Sequence, residues 1–287
     1  FDNLSLVRVP MKPIDFVVTD AYRDTVSAGK LQVAAAVYAD PAKREVRLGY
    51  VDATGARQKV EPILSETGRV KFELDVADLA MGTQKLVVAV KEKGGAILGS
   101  QTVTVTRTAE PPKGRVAFDS QRRMLVDGKP FFPLGHYVKR MTDEDIAIYK
   151  RAPHNFVVRC GAVTAEELDR YRQAGIYVAA DVRDYIYGCP AATRRGILTL
   201  EDSKAALRKH FAQVGRHPAL LMWYLNDEAP VERVEPITGV NAFLHELDPE
   251  RPTLTCLCHP NTAFDFLPSY DVMAHDCYPI GNHVGKN

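Results

Sequence analysis

The hydrophobic pattern of the sequence changes once, at residues 110–114, which read Glu-Pro-Pro-Lys-Gly. Before this segment, in residues 11–109, short runs of alternating apolar and polar residues are separated by Gly, Pro, Asp and Asn, which is typical of an antiparallel β-sandwich. After it, in residues 115–287, apolar strand candidates alternate with amphipathic helices. Because each Pro fixes φ and lacks a backbone donor, we interpret residues 110–114 as a linker between two domains.

Length and charge agree with two domains and exclude several classes of partner. The chain has 287 residues, and its 37 Lys and Arg balance 36 Asp and Glu without forming a basic block. Nothing in this charge pattern favours binding to nucleic acid or to an anionic membrane. The longest apolar stretch, residues 31–39, is far shorter than the roughly 20 residues of a membrane span. Five cysteines are too few for a disulfide scaffold, and we interpret Cys256 and Cys258 as buried thiols.

The first domain is predicted to be all-β. Its main strand candidates are residues 31–38, 45–51, 70–76, 85–90 and 101–106. No helical period of any length interrupts them. One antiparallel sandwich of about 100 residues accommodates this pattern.

The second domain is predicted to be a parallel sheet covered by helices. Its strand candidates are residues 131–137, 156–160, 176–181, 220–225, 253–258 and 272–276. Thr142, Thr164 and Thr199 mark helix starts because an acidic residue follows each by three positions. Gly175 and Gly215 stand where helix C-terminal glycines belong.

The order of these elements favours a TIM barrel. No glycine-rich phosphate-binding motif follows any strand, which disfavours a dinucleotide-binding fold, and no cofactor is predicted. A complete barrel has eight strands and about 250 residues, whereas residues 115–287 supply about six strands. The barrel is then either open or, as we expect, a (β/α)8 barrel whose last two units lie beyond this sequence.

The active site of a TIM barrel forms at the C-terminal ends of the strands. In this sequence those positions are occupied by His136, Tyr137, Arg159, Asp181, Arg183, Asn226, Asp227, Glu228, His259, His275, Asp276 and Tyr278. A carboxylate cluster accompanied by Arg and Tyr suits hydrolytic acid/base chemistry. The histidines also allow a metal site, but Gly135-His136-Tyr137 lacks the His-x-His pattern of a barrel metallohydrolase, so no metal is predicted.

Residues 217–230, which read HPALLMWYLNDEAP, resemble the fourth strand of glycoside hydrolase clan A. In that clan a His-Pro and an apolar, Trp-containing strand lead to an Asn-Glu or Asp-Glu pair. Residues 122–137, 155–159 and 246–252 resemble the barrel entry, the second strand and the approach to the fifth strand of the β-galactosidase and β-glucuronidase-like family 2. That family carries an immunoglobulin-like sandwich directly before its barrel. Residues 1–10 resemble the last strand of a jelly-roll carbohydrate-binding module.

The resemblance implies a secreted glycoside hydrolase, extracellular or periplasmic, that cleaves an oligo- or polysaccharide by a retaining double displacement. Glu228 is then the general acid/base, and the nucleophile, a Glu after the seventh strand, lies beyond Asn287. Asp227 stands where the clan has the Asn that binds the sugar 2-hydroxyl. Arg159 is expected to orient the nucleophile or the substrate, and Tyr278 to hydrogen-bond the nucleophile.

Further substrate contacts are expected from neighbouring positions. Asn226, His136 and Asp181 lie at strand ends beside Glu228 in this arrangement. Tyr185, in the long connection of residues 183–198, is placed to stack on sugar, because extended loops at this end shape substrate sites. Trp223 is either a sugar platform or a core residue of a buried strand.

The site assignments have structural alternatives. Asp227 and Glu228 also suit the N-terminus of the following helix, where acids are favoured. Arg159 also suits an ion pair that joins strand ends, and Tyr278 a packed aromatic at the rim. For the whole chain, the alternative function is a carbohydrate-binding or scaffolding protein with an inactive barrel, which the Asp at position 227 favours.

Overall fold

The structure is a computed structural model that describes residues 12–38, 40, 42–66, 68–110, 114–119, 123–259 and 262–276. The chain divides into two compact units, Phe1–Pro112 and Lys113–Asn287. The predicted preceding module at residues 1–10, residues 111–113 of the predicted linker, and Tyr278 lie outside the described residues. Among the described helices, none has the length and apolar character that crossing a bilayer requires.

The described part of the first unit is built from strands. These are β1 (Ile14–Thr19), β2 (Thr25–Val26), β3 (Lys30–Val37), β4 (Arg44–Val51), β5 (Arg57–Val60), β6 (Leu64–Glu66), β7 (Arg69–Asp75), β8 (Gly82–Glu92) and β9 (Ile97–Arg107). Two short 3₁₀ turns, Tyr22–Asp24 and Val76–Asp78, interrupt them. The five strands predicted from alternation are confirmed, and the structure adds β1, β2, β5 and β6, which are mostly short or more exposed.

These strands form two sheets around one core. One sheet has the order β1-β3-β7-β6 and the other β2-β9-β8-β4-β5. Leu31, Phe72 and Leu86 are among the core residues and have no exposed surface. β2 pairs in parallel with β9, so the unit is not wholly antiparallel as predicted. The immunoglobulin-like character of this unit stays a prediction.

The second unit contains the predicted alternation of strands and helices. Its strands are β10 (Val116–Phe118), β11 (Met124–Val126), β12 (Lys129–Pro130), β13 (Gly135–Val138), β14 (Phe156–Arg159), β15 (Tyr177–Asp181), β16 (Leu220–Asp227), β17 (Thr253–Leu257) and β18 (Val272–His275). Its helices are α1 (Asp143–Arg151), α2 (Ala165–Gln173), α3 (Pro190–Arg194), α4 (Leu200–Val214) and α5 (Val234–Leu247). The first three strands form a small antiparallel sheet.

The six strands β13 to β18 form one parallel sheet in sequence order, curled into a half-barrel. Within the described residues, β13 and β18 each pair with a neighbour on one side only. Strand β13 is shorter than predicted, because it begins at Gly135 rather than near Phe131. Closure into an eight-stranded barrel stays a prediction.

The helix signals read from the sequence are largely confirmed. Thr142 and Thr199 form complete capping boxes at the starts of α1 and α4. Thr164 caps α2 through the backbone N–H of Glu167, without the reciprocal side-chain bond. Gly215 ends α4 as predicted, but its φ of −61° is not the left-handed backbone that helix C-terminal glycines commonly adopt. A Cβ at this position would lie 2.1 Å from the Phe211 ring, so close packing requires the glycine.

Alternate residues of the parallel sheet face two different cores, because neighbouring side chains on a strand point to opposite faces. Val157 and Trp223 pack in the core under the helices. Val158, Tyr224 and Cys256 pack in a second core inside the curl. The first face is called the helix face below and the second the inner face.

A β-bulge in β16 shifts this alternation just before Glu228. Tyr224 pairs with Leu254 and Asp227 pairs with Cys256, whereas Asn226 pairs with Thr255. Since Leu254 and Cys256 belong to the inner core, the bulge returns Asp227 to the inner face and leaves Asn226 on the helix face.

Candidate active site

A polar cluster lies on the inner face at the C-terminal ends of β15 and β16. Asp181 accepts hydrogen bonds from Nε and Nη2 of Arg183, at 2.9 and 2.8 Å, and from the backbone N–H of Gly161 at 2.8 Å. Arg183 also donates from Nη1 to Oδ2 of Asp227. The Asp181 side chain is 4% exposed and that of Asp227 is 37% exposed. The cluster therefore extends from the interior to the open end of the sheet.

Arg183 keeps its charge in this cluster. Burial disfavours the charged guanidinium, but the hydrogen bonds and charge of Asp181, with the charge of Asp227, outweigh it and raise the pKa of Arg183. The guanidinium carbon also lies 4.9 Å from the ring centroid of Tyr224. A cation over an aromatic face is a favourable contact.

Two tyrosines extend the cluster along the inner face. The Tyr224 hydroxyl donates to Oδ1 of Asp227 at 2.7 Å, and its ring meets that of Tyr137 edge-on, with centroids 5.7 Å apart. Burial and the hydrogen bond to Asp227 raise the pKa of Tyr224, and burial and the Cys256 thiol raise the pKa of Tyr137. Both hydroxyls therefore stay protonated, and Tyr224 remains a donor to Asp227.

Glu228 follows β16 directly and is exposed at the end of the sheet. Its φ of +54° lies in the left-handed region, which residues other than glycine rarely adopt. Its backbone N–H donates to the Cys256 carbonyl at 3.0 Å, and the Ala229 N–H donates to Oδ1 of Asn226 at 3.0 Å. Burial, then the charge of Glu228, raises the pKa of the Cys258 thiol, with a smaller contribution from a hydrogen bond between the two side chains. The Glu228 carboxylate thus lies beside Cys258.

A pocket of about 260 Å³ lies inside the curl. Its lining is mainly apolar and comprises Pro133, Gly135, His136, Tyr137, Phe156, Val158, Met222, Leu254, Val272, Met273 and Ala274. Such a pocket combines a hydrophobic surface with a few polar groups, which is the usual composition of a small-molecule site.

Arg159 lies on the helix face and does not reach this cluster. Its Nε and Nη2 donate to the two carboxylate oxygens of Glu167 at 2.6 and 3.2 Å, and the Tyr171 hydroxyl also donates to Glu167 at 2.8 Å. The Arg159 and Glu167 side chains are 10% and 9% exposed. Arg159 thus forms the ion pair that the structural alternative predicted, because its strand position faces α2, and its predicted role toward nucleophile or substrate stays a prediction.

Trp223 and Tyr185 are also engaged away from the inner face. Trp223 is 1% exposed, and its Nε1 donates to Oδ2 of Asp248 at 2.7 Å. The Tyr185 ring lies 5.2 Å from the His210 ring and 5.5 Å from the Arg195 guanidinium carbon. The connection that carries Tyr185 is folded into a 3₁₀ turn and α3 rather than extended. Trp223 is buried in the core and the partly buried Tyr185 ring packs against His210 and Arg195, so the two predicted sugar contacts gain no support here and stay predictions.

His136 and Asn226 have structural roles as well. The His136 Nδ1 lies 2.8 Å from the Tyr149 hydroxyl of α1, so the ring faces the helix. Asn226 is 2% exposed and holds the turn through Ala229. The bulge turns Asn226 to the helix face, and His136 contacts α1 although it also lines the pocket, so the predicted substrate contacts of both residues stay predictions. Tyr278 lies outside the described residues, so its predicted role is not addressed.

Asp181, Asp227 and Glu228 are the predicted site residues that the structure brings together. Sequence reasoning gave no role to Arg183 or Tyr224, which hold Asp227. The spacing Asp181-x-Arg183 is the available signal, since it allows one side chain to return to the other. Among the described residues, no group of three or more His, Cys, Asp or Glu has a metal-binding arrangement.

Comparison with known proteins gives only distant similarity. No family model matches the chain, and no curated protein matches it. The solved structure of Bacteroides uniformis beta-glucuronidase 2, covalently bound to cyclophellitol-6-carboxylate aziridine, is 14% identical with a TM-score of 0.46, over 92% of this chain and 36% of that one. The beta-D-glucuronidase of Dictyoglomus thermophilum is 16% identical with a TM-score of 0.45, over 90% and 46%. This chain therefore spans less than half of either protein, and its residues are assigned from its own geometry.

Proposed function

We propose that this chain contributes the acid/base half of a retaining glycoside hydrolase site, with Glu228 as the general acid/base. The observation that carries the proposal is the position of Glu228. Its side chain is exposed at the C-terminal end of a parallel strand, directly after Asp227 of the inner-face polar cluster. This end of a barrel-type sheet is where such folds place catalytic groups. The resemblance of residues 217–230 to the fourth strand of clan A supports the same assignment.

The geometry suits the two roles that a retaining mechanism requires of this residue. In the first step a carboxylic acid gives a proton to the leaving glycosidic oxygen while a second carboxylate attacks the sugar. In the second step the same residue, now a carboxylate, takes a proton from the attacking water. Glu228 is exposed enough to meet a leaving group and water, and Asp227 beside it is an acceptor for a sugar hydroxyl.

The proposed substrate is an oligo- or polysaccharide, and the proposed extracellular or periplasmic setting rests on the family resemblance alone. The apolar lining of the pocket offers a surface for the C–H face of a sugar ring, and Tyr137 adds an aromatic side chain 48% exposed. Asp227 and Tyr137 are the described residues we expect to contact the sugar.

The test is hydrolysis of a panel of aryl glycosides by the full-length protein, beside Glu228→Gln and the matched control Glu232→Gln. Glu232 is an exposed carboxylate four residues further along the chain. Glu228→Gln should lower kcat/KM at least about a hundredfold on substrates with poor leaving groups and less on activated ones, because only the former need a proton. Glu232→Gln should behave like wild type. Equal activity of wild type and Glu228→Gln on poor leaving groups would remove the assignment.

A carbohydrate-binding or scaffolding protein with an inactive barrel is the second candidate. Asp227, where clan A has Asn, favours it, since its carboxylate is already engaged by Arg183 and Tyr224. This candidate predicts saturable sugar binding by calorimetry, no hydrolysis of any glycoside in the panel, and no effect of Glu228→Gln.

A further inference from the structure

Arg183 connects the ends of two neighbouring strands through its side chain. Its Nε and Nη2 bind Asp181 at the end of β15, and its Nη1 binds Asp227 at the end of β16. All three guanidinium nitrogens are therefore engaged, and the side chain is 26% exposed. Planar, charge-assisted contacts of this kind fix geometry more strongly than a single-point lysine contact.

The Arg183 side chain links the two strands just beyond the point where their backbone pairing ends. The β15–β16 register finishes at Asp181 opposite Tyr224, and the Val182 N–H donates to the Tyr224 carbonyl at 3.0 Å. Asp227 lies three residues beyond Tyr224, after the bulge. On the side of β16 that faces β15, the Arg183 side chain holds Asp227. On the side that faces β17, backbone pairing with Cys256 holds it.

The turn after Asp227 needs such support because Glu228 has a left-handed backbone. A non-glycine residue in this region is strained and persists where surrounding contacts hold it. The contacts here are the Glu228 N–H on the Cys256 carbonyl, the Ala229 N–H on Asn226, and the anchoring of Asp227.

We infer that Arg183 is a positioning residue that holds the Asp227–Glu228 turn at the end of β16. Its effect on catalysis rests on the proposed function of Glu228, whereas its effect on the turn does not. The competing role for an exposed arginine in a sugar site is binding of a substrate carboxylate. Arg183 is unsuited to that role because Asp181 and Asp227 already engage its nitrogens and compensate its charge.

The first test measures the turn itself by amide hydrogen exchange and mass spectrometry, on peptides that cover residues 224–230. Arg183→Gln should speed exchange in this segment by about tenfold or more, because its local opening becomes easier. Arg183→Lys keeps the charge without the planar fork and should lie between wild type and Arg183→Gln. Arg195→Gln is the matched control, since Arg195 lies in the same connection and pairs with Asp184 at the surface.

Unchanged exchange at residues 224–230 in Arg183→Gln would overturn the inference. If Arg183→Gln fails to fold because Asp181 loses its partner, Asp227→Asn provides the same test. That variant keeps the Arg183–Asp181 contact and removes only the charge at the end of β16. It should speed exchange in the same segment, and unchanged exchange in it would likewise overturn the inference.

The second test measures catalysis on the same variants of the full-length protein. Arg183→Gln should lower kcat/KM more on glycosides with poor leaving groups than on activated ones and should shift the pH profile of kcat/KM, with partial recovery in Arg183→Lys. A loss confined to uronides, seen as a raised KM at unchanged kcat, would instead assign Arg183 to substrate-carboxylate binding. If wild type hydrolyses nothing, the proposed function fails, and the exchange result still decides the role of Arg183.

Discussion

Arg159 and Arg183 lie near the C-terminal ends of neighbouring strands and each binds a buried carboxylate, but they lie on opposite faces of the sheet. Arg159 binds Glu167 of α2 on the helix face, and Arg183 binds Asp181 on the inner face. The alternation of strand side chains explains the difference, because Arg159 follows helix-facing Val157 by two positions. Resemblance to a family selected Arg159, whereas strand alternation turns Asp181 to the inner face and Arg183 returns to it from the following 3₁₀ turn. At the end of a parallel strand, one position decides between a stabilising ion pair and a contact at the candidate site.

The largest effect should follow from breaking the Arg159 ion pair. Arg159→Gln leaves the Glu167 carboxylate buried without a cation, so we expect a loss of about 3–5 kcal/mol in the free energy of unfolding, measured with urea. The kcat/KM per folded molecule should stay near the wild-type value. Arg170→Gln, which breaks the exposed pair between Arg170 of α2 and Asp143 of α1, should destabilise the protein far less. A stable Arg159→Gln protein that has lost activity would contradict the assignment of Arg159 to the helix face.

A smaller loss should follow from Trp223→Phe on the same face. The variant removes the Nε1 bond to buried Asp248, which retains its contact with Arg251. We expect about 1–3 kcal/mol of destabilisation in urea unfolding, the usual cost of a buried hydrogen bond and a small cavity. The KM for aryl glycosides should not change, and a several-fold rise in KM would restore Trp223 as a substrate contact.

On the inner face, Tyr224→Phe should affect activity more than stability. The variant removes one of the donors to Asp227, and the expected stability change is about 0.5–1.5 kcal/mol. We expect kcat/KM to fall about tenfold, the kinetic equivalent of one such bond. Tyr149→Phe removes a matched hydroxyl on the helix face, where it bonds His136, and should leave kcat/KM unchanged. Equal losses of kcat/KM in Tyr224→Phe and Tyr149→Phe would show that the inner face and the helix face do not differ in their effect on activity.

The smallest effect should be a pH dependence of stability from His210. Burial lowers the pKa of His210 below its ordinary value of 6.5, so the unfolded chain binds its proton more readily than the folded protein. Its contribution to stability is therefore fully present above about pH 6.5 and is lost as the pH falls through the lowered pKa. Urea unfolding from pH 8 to pH 5 should show a weaker loss on acidification in His210→Phe than in wild type. If the free energy of unfolding changes with pH equally in wild type and His210→Phe, then His210 does not contribute to the pH dependence of stability.

The sequence predicted the fold better than the site. Strong apolar runs and capping threonines located the six parallel strands and most helix starts, because burial and capping are local properties. The site depends on which way each strand end faces, and the bulge in β16 changes that direction without a clear sequence signal. The bulge turns Asn226 to the helix face. Position at a strand end alone does not give the direction of a side chain, since Arg159 follows helix-facing Val157 by two positions and so bonds α2.

The left-handed backbone of Glu228 has a consequence for how this chain can change over time. Glycine is free of the side-chain strain that Glu bears there, which amounts to about 1–2 kcal/mol for an ordinary residue. Random substitution at this position therefore meets two opposed pressures, since the change that most relaxes the fold also removes the carboxylate. A lineage released from selection for hydrolysis should drift towards glycine or asparagine at position 228 and gain thermal stability. If Glu228 has the proposed role, the residue at this one position would then record whether that role is under selection.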